Sequence, residues 1–108
     1  MISTFEQDFV TAVSSSNQKG DLMSLLAKKQ TQEPLYPYAV FALGGIMVSS
    51  NEFEEVKEGL DLMRKAFSVA KNAGTVTPSM RITLKACEKD ASARFGIKPP
   101  SIFERLFR

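Results

Sequence analysis

The chain has 108 residues, 44% of them apolar and 24% charged, the make-up of one ordinary globular domain, and this argues against extended disorder. Its net charge is only +2, it has no histidine, and Cys87 is its one cysteine. Those absences remove the commonest general base and metal ligand, every Ser–His or Cys–His nucleophile pair, thiolate zinc sites and internal disulfides.

The first segment, "ISTFEQDFVTAV", places Phe5, Phe9, Ala12 and Val13 on one face of a helix that Ser3 or Thr4 can cap. "SSSNQKG" interrupts it with turn formers. Asp21 is then expected to cap a second helix whose apolar face is Leu22, Leu25 and Leu26. Pro34 and Pro37 bracket a connection, and Pro37 suits the first turn of a third helix, where its missing N–H is not needed. Ala39, Val40, Leu43, Ile46 and Met47 supply that helix's buried side.

Asn51 with Glu54 resembles a capping box and opens a fourth helix over about 52–72. Along it Phe53, Val56, Leu60, Met63, Phe67 and Ala70 recur at helical spacing, with the charged residues mostly off that stripe. Gly74 is the expected stop, because glycine takes the left-handed conformation at low steric cost. Thr77-Pro78 is a capping hydroxyl followed by a proline at the first helical position, so a fifth helix is expected over 78–95. Met80, Leu84, Cys87 and Ala91 share one of its faces. Gly96 ends it, Pro99-Pro100 prevents continuation, and Ser101 with Glu104 opens a last short turn, "IFERLFR". No segment sustains a period of two. The expectation is a single all-α domain over 1–108, five helices and a short C-terminal helical turn.

The letters "SSN" occur twice, at 15–17 and 49–51, and the apolar positions around them keep the same register. Phe9 falls on Leu43, Ala12 on Ile46, Val13 on Met47, Leu22 on Val56 and Leu26 on Leu60. A period of about 34 residues in helix–turn–helix units resembles a tetratricopeptide-like array. The better unit spans about 37–70. Leu43-Gly44 is similar to the Leu-Gly pair of that pattern's first helix, and Phe53 and Val56 stand at its positions opening the second. Gly44 would let the partner helix approach closely. The unit over about 3–30 is degenerate, and Val40 stands where the pattern has a tryptophan. "EFEEVKEGLDLM" is also similar to the first repeat of a mitochondrial fission protein family. One further period lands on Lys85, inside the fifth helix, which is therefore expected to cap the stack. The resemblance implies protein binding, as in short tetratricopeptide-like secretion chaperones.

Gly44-Gly45 is followed by apolar residues and forms no phosphate-binding loop, and no dinucleotide fingerprint occurs. The carboxylates in "NEFEEVKEGLD" oppose an apolar stripe and read as a solvated face. No enzymatic activity, no cofactor and no metal are expected. The expected function is a protein–protein interaction module, an adaptor or small chaperone holding a helical segment of a partner. Phe9, Val13, Leu43 and Met47 would line its groove wherever that face is left open, with Tyr36 and Tyr38 as rim contacts. The alternative is a helical, dimeric nucleic-acid-binding protein. Arg81, Lys85 and Lys89 recur every four residues, and Arg94 extends this basic ridge towards phosphates or an acidic partner. Charge is divided accordingly, four Lys against eight Asp/Glu over 1–60 and ten Lys/Arg against four Asp/Glu over 61–108. Ile102, Phe103, Leu106 and Phe107 form an apolar edge that either closes the domain's own core or makes oligomer contacts. With no apolar run of membrane length and no basic leader, the chain is expected to be cytoplasmic, without a membrane role, and bound to a protein partner or to itself.

Overall fold

The computed structural model describes residues 4–97, and every regular element among them is a helix. The order is α1 (Thr4–Val13), α2 (Gln18–Leu26), α3 (Tyr36–Val48), α4 (Phe53–Ala73) and α5 (Pro78–Phe95). The C-terminal turn with Ser101, Glu104 and its apolar edge lies outside the described residues, as do Ser3 and Pro99-Pro100.

Helix boundaries follow local chemistry, with two departures from the expected caps. α2 starts at Gln18, and Asp21 lies inside its first turn. The Asn17 carbonyl already accepts the Asp21 N–H at 3.0 Å, so helical bonding begins one turn earlier than expected. Asp21 still places negative charge near the positive end of the helix dipole. α4 starts at Phe53, with Glu52 at the N-cap and no side-chain capping bond. The Asn51–Glu54 box therefore does not form. Instead the Ser50 hydroxyl accepts the Glu52 N–H at 3.0 Å and tightens the turn itself. The expected starts of α3 and α5 and the expected stops of α4 and α5 are found. Pro37 sits in the first turn of α3. Thr77 Oγ1 accepts the Met80 N–H at 3.1 Å and caps α5. Gly74 and Gly96 end α4 and α5 in the left-handed conformation, at φ 72° and 69°.

α3 and α4, joined by the short turn at 49–52, form a tight hairpin at the centre of the fold. α3 is apolar around most of its circumference because it serves two cores. In the first, Phe5, Ala12, Leu22 and Leu25 of the α1–α2 hairpin pack on Ala39, Leu43 and Met47. In the second, Val48, Val56, Leu60 and Met63 pack on Leu84 and Ala91 of α5. The α3–α4 crossing is close enough that a β-carbon at Gly44 would meet backbone and side chain of α4, as the sequence led one to expect.

Polar contacts fix α5 on this hairpin. Arg64 and Glu88 pair at 3.0 Å in a largely covered position. Arg94 donates to the carbonyls of Ser50, at 2.9 Å, and of Val48, supplying partners for the exposed carbonyl end of α3. Tyr38 donates its hydroxyl proton to the Thr75 carbonyl at 2.7 Å and holds the α4–α5 connection against α3. Phe53, on the expected buried stripe of α4, is 43% exposed. It opens the helix, and the Phe95 ring meets it edge-on with centroids 6.0 Å apart. Among the described residues no helix is long and apolar enough to cross a membrane.

Candidate functional site

On α4, Glu55, Leu62 and Val69 are seven residues apart and so fall on one stripe of the helix. Their surroundings change along it. Glu55 is ion-paired to Lys19 of α2, and Leu62 packs against the first core. Val69, two turns further on, is 53% exposed. The first hairpin meets this flank at Glu55, through Lys19, and the first core meets it at Leu62, while Val69 is left exposed.

Beside Val69 the α3–α4 hairpin leaves an apolar groove of about 250 Å³. Pro37 and Val40 of α3 form one side of it, and Ala66 and Val69 of α4 the other. Tyr36, the exposed Thr31 and the exposed Lys65 complete the lining. Tyr36 is held from beneath, its ring centroid 6.1 Å from that of Phe5. Pro37 has a fixed φ and no N–H, so this wall is stiff and offers little polar competition for an apolar guest. The volume is below the usual range of small-molecule and cofactor pockets, about 300–1,000 Å³. It suits one or two side chains projecting from a partner's surface. A second cleft, of about 300 Å³ between α1 and α2, is more polar. There Lys28 bonds Asp8 at 3.4 Å, which already neutralises one of its carboxylates.

Of the six side chains read from the sequence as partner contacts, only Tyr36 lines the apolar groove. Leu43 and Met47 are each 7% exposed and belong to the first core, so they cannot form an open face. Phe9 is half-buried against that same core. Val13 ends α1 at the surface, away from the groove lining. Tyr38 spends its hydroxyl on Thr75 and acts as a tether. The residues that were missed are Val40, placed on the buried side, and Pro37, Ala66 and Val69. The signal for them was the second apolar stripe of α4, Leu62 and Val69, beside the dominant one.

The basic ridge of α5 is not a continuous cationic surface. The Arg81 guanidinium stacks 5.5 Å from the ring centre of Phe67. Arg94 is spent on Val48, Ser50 and Asp90. Lys85 and Lys89 remain exposed, with Glu88 drawn away to Arg64. Cys87 is half-buried, and burial, reinforced by Asp90 and Glu88, pushes its thiol above the ordinary range, so it packs as a small apolar side chain.

No protein-family model matches the chain, and neither does any curated protein or solved structure. The groove and its lining are therefore the best guide to function.

Proposed function

We propose that the protein is a protein–protein interaction module, an adaptor or small chaperone, that holds an apolar helical segment of a partner against α3 and α4. The observation that carries this reading is the exposed Val69 facing Val40 and Pro37 across a stiff, carbon-lined groove. Leaving apolar surface of that kind in water costs about 25 cal/mol per Å², which a partner's side chains recover. Anchors at helical spacing fit such a groove, and Lys65 gives the rim one charge with which to orient them.

The tetratricopeptide-like organisation belongs to the same proposal. Two features support it: Leu22 and Val56, at equivalent positions, are each fully buried, and α3 and α4 cross closely at Gly44. The free thiol of Cys87 fits the cytoplasm as the working compartment.

The test is a pull-down from native extract with nuclease treatment, read by mass spectrometry, comparing the wild type with Val69→Asp and with Lys85→Glu/Lys89→Glu. The reading requires one stoichiometric protein that survives nuclease, disappears with Val69→Asp and persists with the double charge reversal. Loss of every partner on nuclease treatment would instead support nucleic-acid binding through Lys85 and Lys89.

A further inference from the structure

We infer that the α1–α2 hairpin is a lid: it swings off α3 as one unit while α3, α4 and α5 stay folded, and its closed position completes one wall of the groove. The bearing on partner capture rests on the groove being a docking surface; the opening itself does not.

Neither α1, with 10 residues, nor α2, with 9, is long enough to be stable alone in water. Both therefore depend on packing, and that packing is serial. α1 packs mainly on α2, and α2 on α3, whereas α5 packs on α3 and α4 together. Among the described residues the second core is built without α1 or α2. Val48, Val56, Leu60 and Met63 thus stay joined to Leu84 and Ala91 when the hairpin leaves. The crossing at Gly44 and Gly59 stays as well. So do the ties of Arg64 to Glu88, of Arg94 to Ser50 and of Tyr38 to Thr75, each made within α3–α5 and its connections.

Across the seam Lys19 pairs with Glu55, and the Lys19 side chain is 42% exposed there, so water and salt screen the pair. The hairpin joins α3 through the connection 27–35, in which Lys29 turns the chain at φ 54°. That conformation is uncommon for a residue with a side chain. Loop positions of this kind absorb the backbone rotation of a hinge.

Tyr36 links the lid to the groove. It lines the groove and packs against the first core, its ring centroid 6.1 Å from that of Phe5 on α1. Thr31, in the connection, lines the groove too. Opening withdraws Phe5 from beneath Tyr36, so this wall is complete only in the closed chain. A guest that needs the wall favours closure, and closure favours the guest to the same degree.

Hydrogen exchange of the full chain, read by mass spectrometry of peptic fragments, tests the lid. The most protected amides of α1 and of α2 should exchange alike, and at least about tenfold faster than those of α3 and α4. Leu22→Ala removes a fully buried anchor of the hairpin. It should speed α1 and α2 by about tenfold or more and leave α3–α5 unchanged. The Val40 and Val69 methyl resonances should shift in that variant as the wall loosens. One exchange rate for all five helices would overturn the inference. So would acceleration of α4 and α5 as large as that of α1 and α2, or loss of all helical circular dichroism with Leu22→Ala. Methyl resonances identical to those of the wild type would overturn the link to the groove. A lid that opens as described, on a protein that captures nothing through Val69, would sink only the adaptor reading. Capture through Val69 by a protein with one exchange rate throughout would sink only this inference.

Discussion

A β-carbon on Gly44 would stand 2.6 Å from the carbonyl oxygen of Gly59, and one on Gly59 would stand 2.7 Å from that of Gly44. The two glycines are the point at which α3 and α4 touch backbone to backbone. Both walls of the groove hang from this crossing. Gly44→Ala or Gly59→Ala should push the helices apart and lower stability by about 1–3 kcal/mol, the usual cost of overpacking. Gly45→Ala is the control, because nothing lies within 4 Å of its β-position. It should raise stability by about 0.5–1 kcal/mol through helix propensity alone. Urea unfolding midpoints of the three variants decide the matter.

Arg94 should be a structural residue. Its planar fork serves the Val48 and Ser50 carbonyls and the Asp90 carboxylate together, which a lysine's single ammonium cannot do. Arg94→Lys should therefore cost about 1–3 kcal/mol despite keeping the charge. Lys85→Ala, at an exposed position, should change stability by less than about 0.5 kcal/mol. Equal effects from the two changes in thermal unfolding would return Arg94 to the surface ridge.

The Lys19–Glu55 pair sets an acid limit. The hydrogen bond from Lys19, then that from Ser50, lowers the Glu55 carboxyl below its ordinary 4.5, against the opposing effect of burial. A carboxylate depressed in the folded state contributes stability above its unfolded pKa and loses it as pH falls through the folded value. Stability should thus decline below about pH 4.5, and Lys19→Met should flatten that decline by lowering stability at neutral pH while leaving it nearly unchanged in acid. Denaturant titrations at a series of acidic pH values measure both slopes.

Cys87 should react slowly. With its thiol raised by burial first and by Asp90 and Glu88 second, little thiolate exists at neutral pH. Labelling by a thiol-specific reagent should be slow in the native protein and should accelerate many-fold in denaturant. Native labelling as fast as that of the unfolded chain would mean that the α5 face opens freely.

Most of the fold was legible because most boundaries carry their own chemistry. Thr77-Pro78 announces α5, and Gly74 and Gly96 take the conformation that glycine alone adopts cheaply. The starts of α2 and α4 were not legible in that way. They depend on backbone carbonyls and on the Ser50 hydroxyl, while Asp21 and Asn51 only resemble caps. The site was less readable still. Periodicity identifies Leu43 and Met47 as apolar, but not which face of α3 stays uncovered. That is decided by the packing of the other helices, which covers Leu62 and leaves Val69 bare. Gly59 was missed for a similar reason: a glycine in a charged stretch shows nothing until its partner helix is in place.

The groove is tested most directly by the methyl spectrum of the valine-labelled protein as the captured partner is added. Val40 and Val69 should shift or broaden together, while Val10 and Val13 on α1 remain unchanged. Unperturbed Val40 and Val69 with the partner at saturation would contradict the account.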